Sequence, residues 1–171
     1  MKQTNSNKGR ISISAFLRTP PQALARMHGN RNYPDIDGTV RFYKTPKGTF
    51  VIASIWGLPK GDDRCSGPVL AFHLHENGNC TGTSADFFAD AGPHYNPYSC
   101  RHPYHRGDMP PLFSCGGQAF SAFLTDRFEI GDVVGRSCII HSSPDDFSTQ
   151  PSGNSGEKIA CGKIRLWKSV T

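Results

Sequence analysis

At 171 residues, with 18 glycines and 13 prolines, the chain suits one loop-rich domain with a buried core and argues against a helical bundle. Its net charge of +5 comes from scattered lysines and arginines, with no basic run interleaved with aromatics, so a nucleic-acid partner is not expected, while a mild attraction for small anions is. No apolar run reaches bilayer length and the first eight residues lack the apolar stretch of an export signal, so no membrane partner is expected and the chain as written reads as cytoplasmic. A mature extracellular or periplasmic chain trimmed of its signal peptide would read the same way.

Residues 1–21 are polar, end in Pro20-Pro21, and are expected to form a flexible N-terminal arm ahead of a domain over residues 22–171. The segment from Ala23 to His28 fits helix or strand by periodicity alone. Its neighbours decide for strand. Thr39 to Tyr43 alternates, Thr49 to Trp56 is β-branched and aromatic, and Pro46-Lys47-Gly48 between them is a hairpin turn. Further strands are expected from Val69 to His75, Gln118 to Phe123, Gly135 to His141 and Lys158 to Trp167, giving an all-β domain. Two stretches, His75 to Gln118 and His141 to Lys158, carry almost no regular pattern. Unpatterned segments of that length in a compact domain point to function.

Six of the seven histidines gather in or beside those stretches. His73 and His75, two apart on a strand, project from one face roughly 7 Å apart and can converge on one ion. His94 sits in a turn set by Gly92, Pro93 and Pro97, and His102, His105 and Asp108 follow at intervals of three. With His94 they supply three imidazoles and a carboxylate, the donor set of a closed tetrahedral zinc site. His141 ends an apolar strand, where a core histidine is an equally simple account. Asp145 and Asp146, four and five residues on, can either orient a metal-bound histidine or form an ordinary turn with Pro144. Seven donors are too many for one tetrahedral ion but suit two ions sharing a ligand, and imidazoles with one carboxylate favour zinc or copper over calcium.

The pattern resembles the copper,zinc superoxide dismutases. The matching pieces are Phe72 to Glu76 with Gly78 and Cys80, Ala91 to Pro97, His105 to Asp108, Gly135-Arg136 running to His141, Asp145-Asp146, Ser152 to Gly156 and Ala160 to Gly162; they fall in the family's order across residues 22–167. The resemblance implies an eight-stranded antiparallel Greek-key β-barrel, an immunoglobulin-like sandwich, with two long active-site loops. It implies copper held by His73, His75, His94 and His141, zinc held by His94, His102, His105 and Asp108, and His94 as the shared bridge. Asp145 matches the carboxylate linking a copper ligand to a zinc ligand, and Cys80 and Cys161 match the family disulfide. The implied reaction is conversion of superoxide to dioxygen and hydrogen peroxide by copper redox cycling, with zinc holding the bridging histidine. A homodimer is common in the family. The alternative is a copper-binding or copper-delivery domain without turnover.

Departures from the family pattern carry expectations of their own. Lys158 stands where the family usually has arginine, and a mobile point charge replaces a fixed fork, so anion attraction should survive while positioning loosens. Lys158 is therefore a catalytic candidate alongside His94. Ser152 stands where threonine is common. Of the other cysteines, Cys138 reads as a buried free thiol, whereas Cys65, Cys100 and Cys115 lie in loops and could form one further bridge.

Overall fold

The computed structural model describes residues 13–61 and 67–168. Nine antiparallel strands form β1 (Ala23–Gly29), β2 (Asp37–Thr45), β3 (Gly48–Trp56), β4 (Val69–Leu70), β5 (Phe72–His75), β6 (Leu112–Phe113), β7 (Ala119–Thr125), β8 (Ser137–His141) and β9 (Lys158–Leu166). Seven of them make one curled sheet in the order β5-β8-β9-β1-β2-β3-β7, while β4 pairs with β6. Since β4 runs on into β5 across Ala71, and β6 turns into β7 through the Cys115–Gln118 bridge, the ladder between β4 and β6 closes the gap between the sheet's two edges. Counting β4 and β5 as one interrupted strand gives the expected eight, and the crossings from β3 to β4 and from β7 to β8 make the topology a Greek-key barrel.

Alternation fixes what lies inside. Ala23, Ala25 and Met27 of β1 pack inward on Val40 and Phe42 of β2, Val51, Ala53 and Ile55 of β3, and Phe72 and Leu74 of β5. Tyr43, Phe50 and Ile52 face outward, yet are buried. A short helix, α1 (Ile13–Arg18), covers them, with the Phe16 ring 4.8 Å from that of Phe50 and 5.2 Å from that of Tyr43. Residues 1–12 of the expected arm lie outside the described residues. A single-turn helix, α2 (Ile130–Val133), caps the crossing from β7 to β8; four residues are too few to announce themselves by periodicity.

The first irregular stretch does not hang free. Phe88 and Ala91 lie on the outer side of the sheet against Ile139 and Cys161, with Cys80 and Phe87 beside them. A disulfide joins Cys80 to Cys161 and locks this loop to β9. Cys138 is a buried free thiol, and burial pushes its pKa upward. The further bridge is not formed among the described residues: Cys100 and Cys115 are free and exposed, and Cys65 lies outside them.

Candidate metal centre

Because Phe72 and Leu74 point into the barrel, His73 and His75 must point out of it, and Ile140 does the same for His141. On a bare sheet these imidazoles would be exposed. They are buried, His73 completely, because the loop after β5 folds back over them. Main-chain bonds from Leu74 drive that folding: its N–H donates to the Gly107 carbonyl at 2.8 Å, and its own carbonyl accepts the Tyr95 N–H at 2.8 Å. The same ladder sets His75 against His94 and His73 against Asp108. Only glycine fits at 107, where an added Cβ would lie 2.4 Å from the Leu74 oxygen.

The loop beyond is stapled by Arg127, whose Nη1 donates to the carbonyls of Pro103 and His105 at 3.0 Å and of Asp108 at 3.3 Å. The second loop joins through Gln150, which accepts the His102 N–H at 3.0 Å and donates to the His102 carbonyl at 2.8 Å. Nothing in the sequence near either residue announces these roles; they depend on chain returning from 19 and 48 residues away.

Two donor clusters result. His73, His75, His94 and His141 form one; His94, His102, His105 and Asp108 form the other, and within each the donor atoms lie within 4.8 Å of one another. The shared ring is His94. Its Nδ1 lies 2.9 Å from Asp108 Oδ1 and 3.5 Å from His105 Nδ1, while its Nε2 is buried without a hydrogen-bond partner. His73 Nδ1 and His102 Nδ1 are likewise buried and unpartnered; Asp108 Oδ2 stands 3.1 Å from the latter without hydrogen-bonding geometry. Unpaired buried polar atoms are costly unless something at the site binds them. His75 Nε2 and His141 Nε2 face each other at 3.3 Å, an arrangement of ring nitrogens suited to a cation between them. The donors therefore fit two ions: an all-imidazole cluster suits copper, and three imidazoles with a carboxylate suit zinc.

The rest of each ring is fixed by a second contact. His75 Nδ1 donates to the Gly92 carbonyl at 2.7 Å, and His141 Nδ1 lies 3.3 Å from both the Gly156 carbonyl and Ser155 Oγ. Asp145 reaches both clusters, its Oδ2 lying 2.8 Å from His73 Nε2 and its Oδ1 2.8 Å from His102 Nε2. Of the two aspartates weighed from sequence, Asp146 turns away: its carboxylate accepts N–H bonds from Ser148 and Thr149 and closes a turn.

Electrostatics keep the donors in binding form. Burial, reinforced by the neighbouring imidazoles, holds the pKa values of His75 and His141 well below 6.5. Burial also lowers that of His73, against the hydrogen bond with Asp145. At Asp108 burial pushes upward, but the hydrogen bond with His94 and the charges of His94, His105 and His102 outweigh it and leave the pKa lowered. At Asp145 burial also opposes, yet hydrogen bonds from His73, the Phe147 N–H and His102 bring the pKa to about 2.

A cleft of about 900 Å³ opens over the first cluster, lined by His75, His94, His141, Ser152 and Lys158 among others. A β-bulge controls the last of these. Ile140 pairs with Ala160 but His141 pairs with Lys158, so the extra residue on β9 puts the lysine on the same face as His141. The point charge expected to be mobile has a partner there. Its ammonium is ion-paired with Asp86 of the first loop, a residue that no motif or spacing singles out.

No described helix is long and apolar enough to cross a membrane. Residues 36–164 match the family model described as copper/zinc superoxide dismutase. A copper-zinc superoxide dismutase of Aquifex aeolicus is 32% identical over 91% of this chain and 93% of its own length. One from Deinococcus radiodurans is 34% identical over 74% of this chain and 76% of its own. Among solved structures, a double mutant of a SOD-like protein from Bacillus subtilis superposes with a TM-score of 0.67 at 28% identity, covering 84% of this chain and 97% of that one. With the barrel, the disulfide and two clusters able to hold copper and zinc, the chain belongs to the copper/zinc superoxide dismutase family.

Proposed function

We propose that this protein is a superoxide dismutase, with copper held by His73, His75, His94 and His141 and zinc by His94, His102, His105 and Asp108. The observation that carries the proposal is the sharing of His94 between two complete four-donor clusters beneath one open cleft. When bound, copper supplies a one-electron couple that superoxide can both reduce and oxidise, and zinc supplies a redox-inert charge. The chain's own residues do the rest. His94 lines the cleft, and its buried, unpartnered Nε2 is the atom at which a proton can be taken up and passed to a reduced oxygen species, while contacts at Nδ1 keep the ring from turning. Asp145 holds His73 and His102 in fixed orientations and so ties a strand-borne donor of one cluster to a loop-borne donor of the other. Lys158 supplies the cation in the cleft lining nearest His141.

The test is reconstitution with copper and zinc, followed by metal analysis and pulse-radiolysis measurement of superoxide decay. Catalytic decay, abolished in His141→Ala, is the expected result. Stoichiometric copper binding without turnover would instead select a copper-handling protein.

A further inference from the structure

Among the described residues lining the cleft Lys158 is the one lysine or arginine, beside three carboxylates, Glu76, Asp86 and Glu157. The cleft lining thus has no share in the chain's net charge of +5, and its one ammonium is the lysine an anion meets there. Glu76 is occupied elsewhere, by Arg136. Asp86 is occupied by Lys158 itself.

Both partners of that pair are held by main chain. Asp86 closes a tight turn, with its carbonyl accepting the Thr83 N–H at 2.8 Å and its Oδ1 accepting the Phe88 N–H at 3.1 Å, which leaves Oδ2 for the ammonium. Lys158 begins β9, three residues before the disulfide cysteine that anchors the same loop, and its carbonyl accepts from Asn30 Nδ2 at 3.1 Å. The lysine side chain is 16% exposed and that of Asp86 40%, so the pair is part-exposed and only its lysine end is shielded from solvent. An arriving anion meets an ammonium that already has a fixed partner.

We propose that Asp86 is a positioning residue for anion entry: it holds the Lys158 ammonium against the first loop, so that an anion reaches the His141 side of the cleft by displacing the Asp86 carboxylate. This rests on the copper assignment above. It makes the loop between Cys80 and Gly92 the element that sets anion affinity, through a contact with no counterpart in the ligand sets.

The experiment is a double-mutant cycle on copper,zinc-loaded protein with Asp86→Asn, Lys158→Met and the double variant, titrating azide against the copper visible absorption at low ionic strength. Asparagine keeps an acceptor for the Phe88 N–H, and metal content with circular dichroism checks each fold; Asp86→Ser repeats the comparison should the asparagine variant misfold. Asp86→Asn should tighten azide binding about threefold, the scale of a part-exposed ion pair, and the gain should vanish in the Lys158→Met background. An equal gain in both backgrounds would show Asp86 to be merely a nearby negative charge and would overturn the proposal, as would no gain at all. If the wild-type protein binds copper and dismutates superoxide normally while Asp86→Asn is silent, this proposal alone fails. If wild-type protein takes up no copper, the functional assignment falls with it.

Discussion

Asp145 lies 2.8 Å from His73 through one carboxylate oxygen and 2.8 Å from His102 through the other. One buried side chain thus sets the ring orientation of a donor in each cluster. Asp145→Ala would leave two buried ring N–H groups without an acceptor and let both imidazoles turn. Affinity should fall about 10- to 100-fold at both clusters. Competition with chelators of known strength measures this for each metal, and Asp146→Ala, which loses only a turn, should stay close to wild type.

Gly153 protects the same link. Its φ of +69° favours glycine, and a Cβ there would sit 1.9 Å from Asp145 Oδ1 and 2.7 Å from His102 Nε2. The clash falls most heavily on the oxygen that serves His102 and on the His102 ring itself, and reaches the oxygen that serves His73 only through the Asp145 Cγ at 2.7 Å. Gly153→Ala should therefore weaken zinc binding about tenfold while copper binding changes less. Separate zinc and copper titrations check this, and equal losses would mean that the loop moves as a unit.

How much of this was legible follows from what makes a signal local. Strands β1, β2, β3, β8 and β9 could be read because alternation repeats within each segment, and Leu74 pointing inward makes His73 and His75 share an outer face. The histidine clusters stood out because imidazole is scarce and its chemistry specific. Local pattern does not separate Asp145 from Asp146, and only the family resemblance singles out Asp145, since a one-residue difference in direction depends on the turn that Phe147 to Thr149 forms around them. Arg127, Gln150 and Asp86 were invisible for another reason: each acts on chain far away in sequence, through a carbonyl or a lysine that any residue order could have presented. The β-bulge beside His141 belongs with these, because it is what turns Lys158 toward the cleft and within reach of Asp86.

Stability of the metal-free protein should depend on pH in two stages. His75 and His141 have folded pKa values well below the 6.5 of the free side chain, so the fold favours their neutral forms. That contribution is complete above about pH 6.5 and is lost as pH falls below it, because the unfolded chain then binds more protons. Asp145, depressed from 3.8 to about 2, contributes above about pH 4 and loses its share between pH 4 and 2. Urea midpoints of the metal-free protein should decline from pH 7 to 5 and again below 4. A flat profile from pH 8 to 5 would contradict the buried neutral imidazoles. Bound metal competes with protons for the same nitrogens, so metal release should follow the first decline.

The Cys80–Cys161 disulfide spans 81 residues, and chain entropy for a loop of that size corresponds to about 4 kcal/mol. In metal-free protein, Cys80→Ser with Cys161→Ser should lower Tm by roughly 10 °C, measurable by calorimetry with reductant added to wild type as a second route. The metal clusters should suffer less. Donors from His94 onward are held by the main-chain bonds of Leu74, which the disulfide does not touch, and Phe88 and Ala91 still have Ile139 to pack on. Copper and zinc affinity should therefore change by less than about tenfold while thermal stability falls, a separation that chelator competition and calorimetry on the same samples can show. Equal collapse of both would mean that the loop needs its tether before Leu74 can capture it.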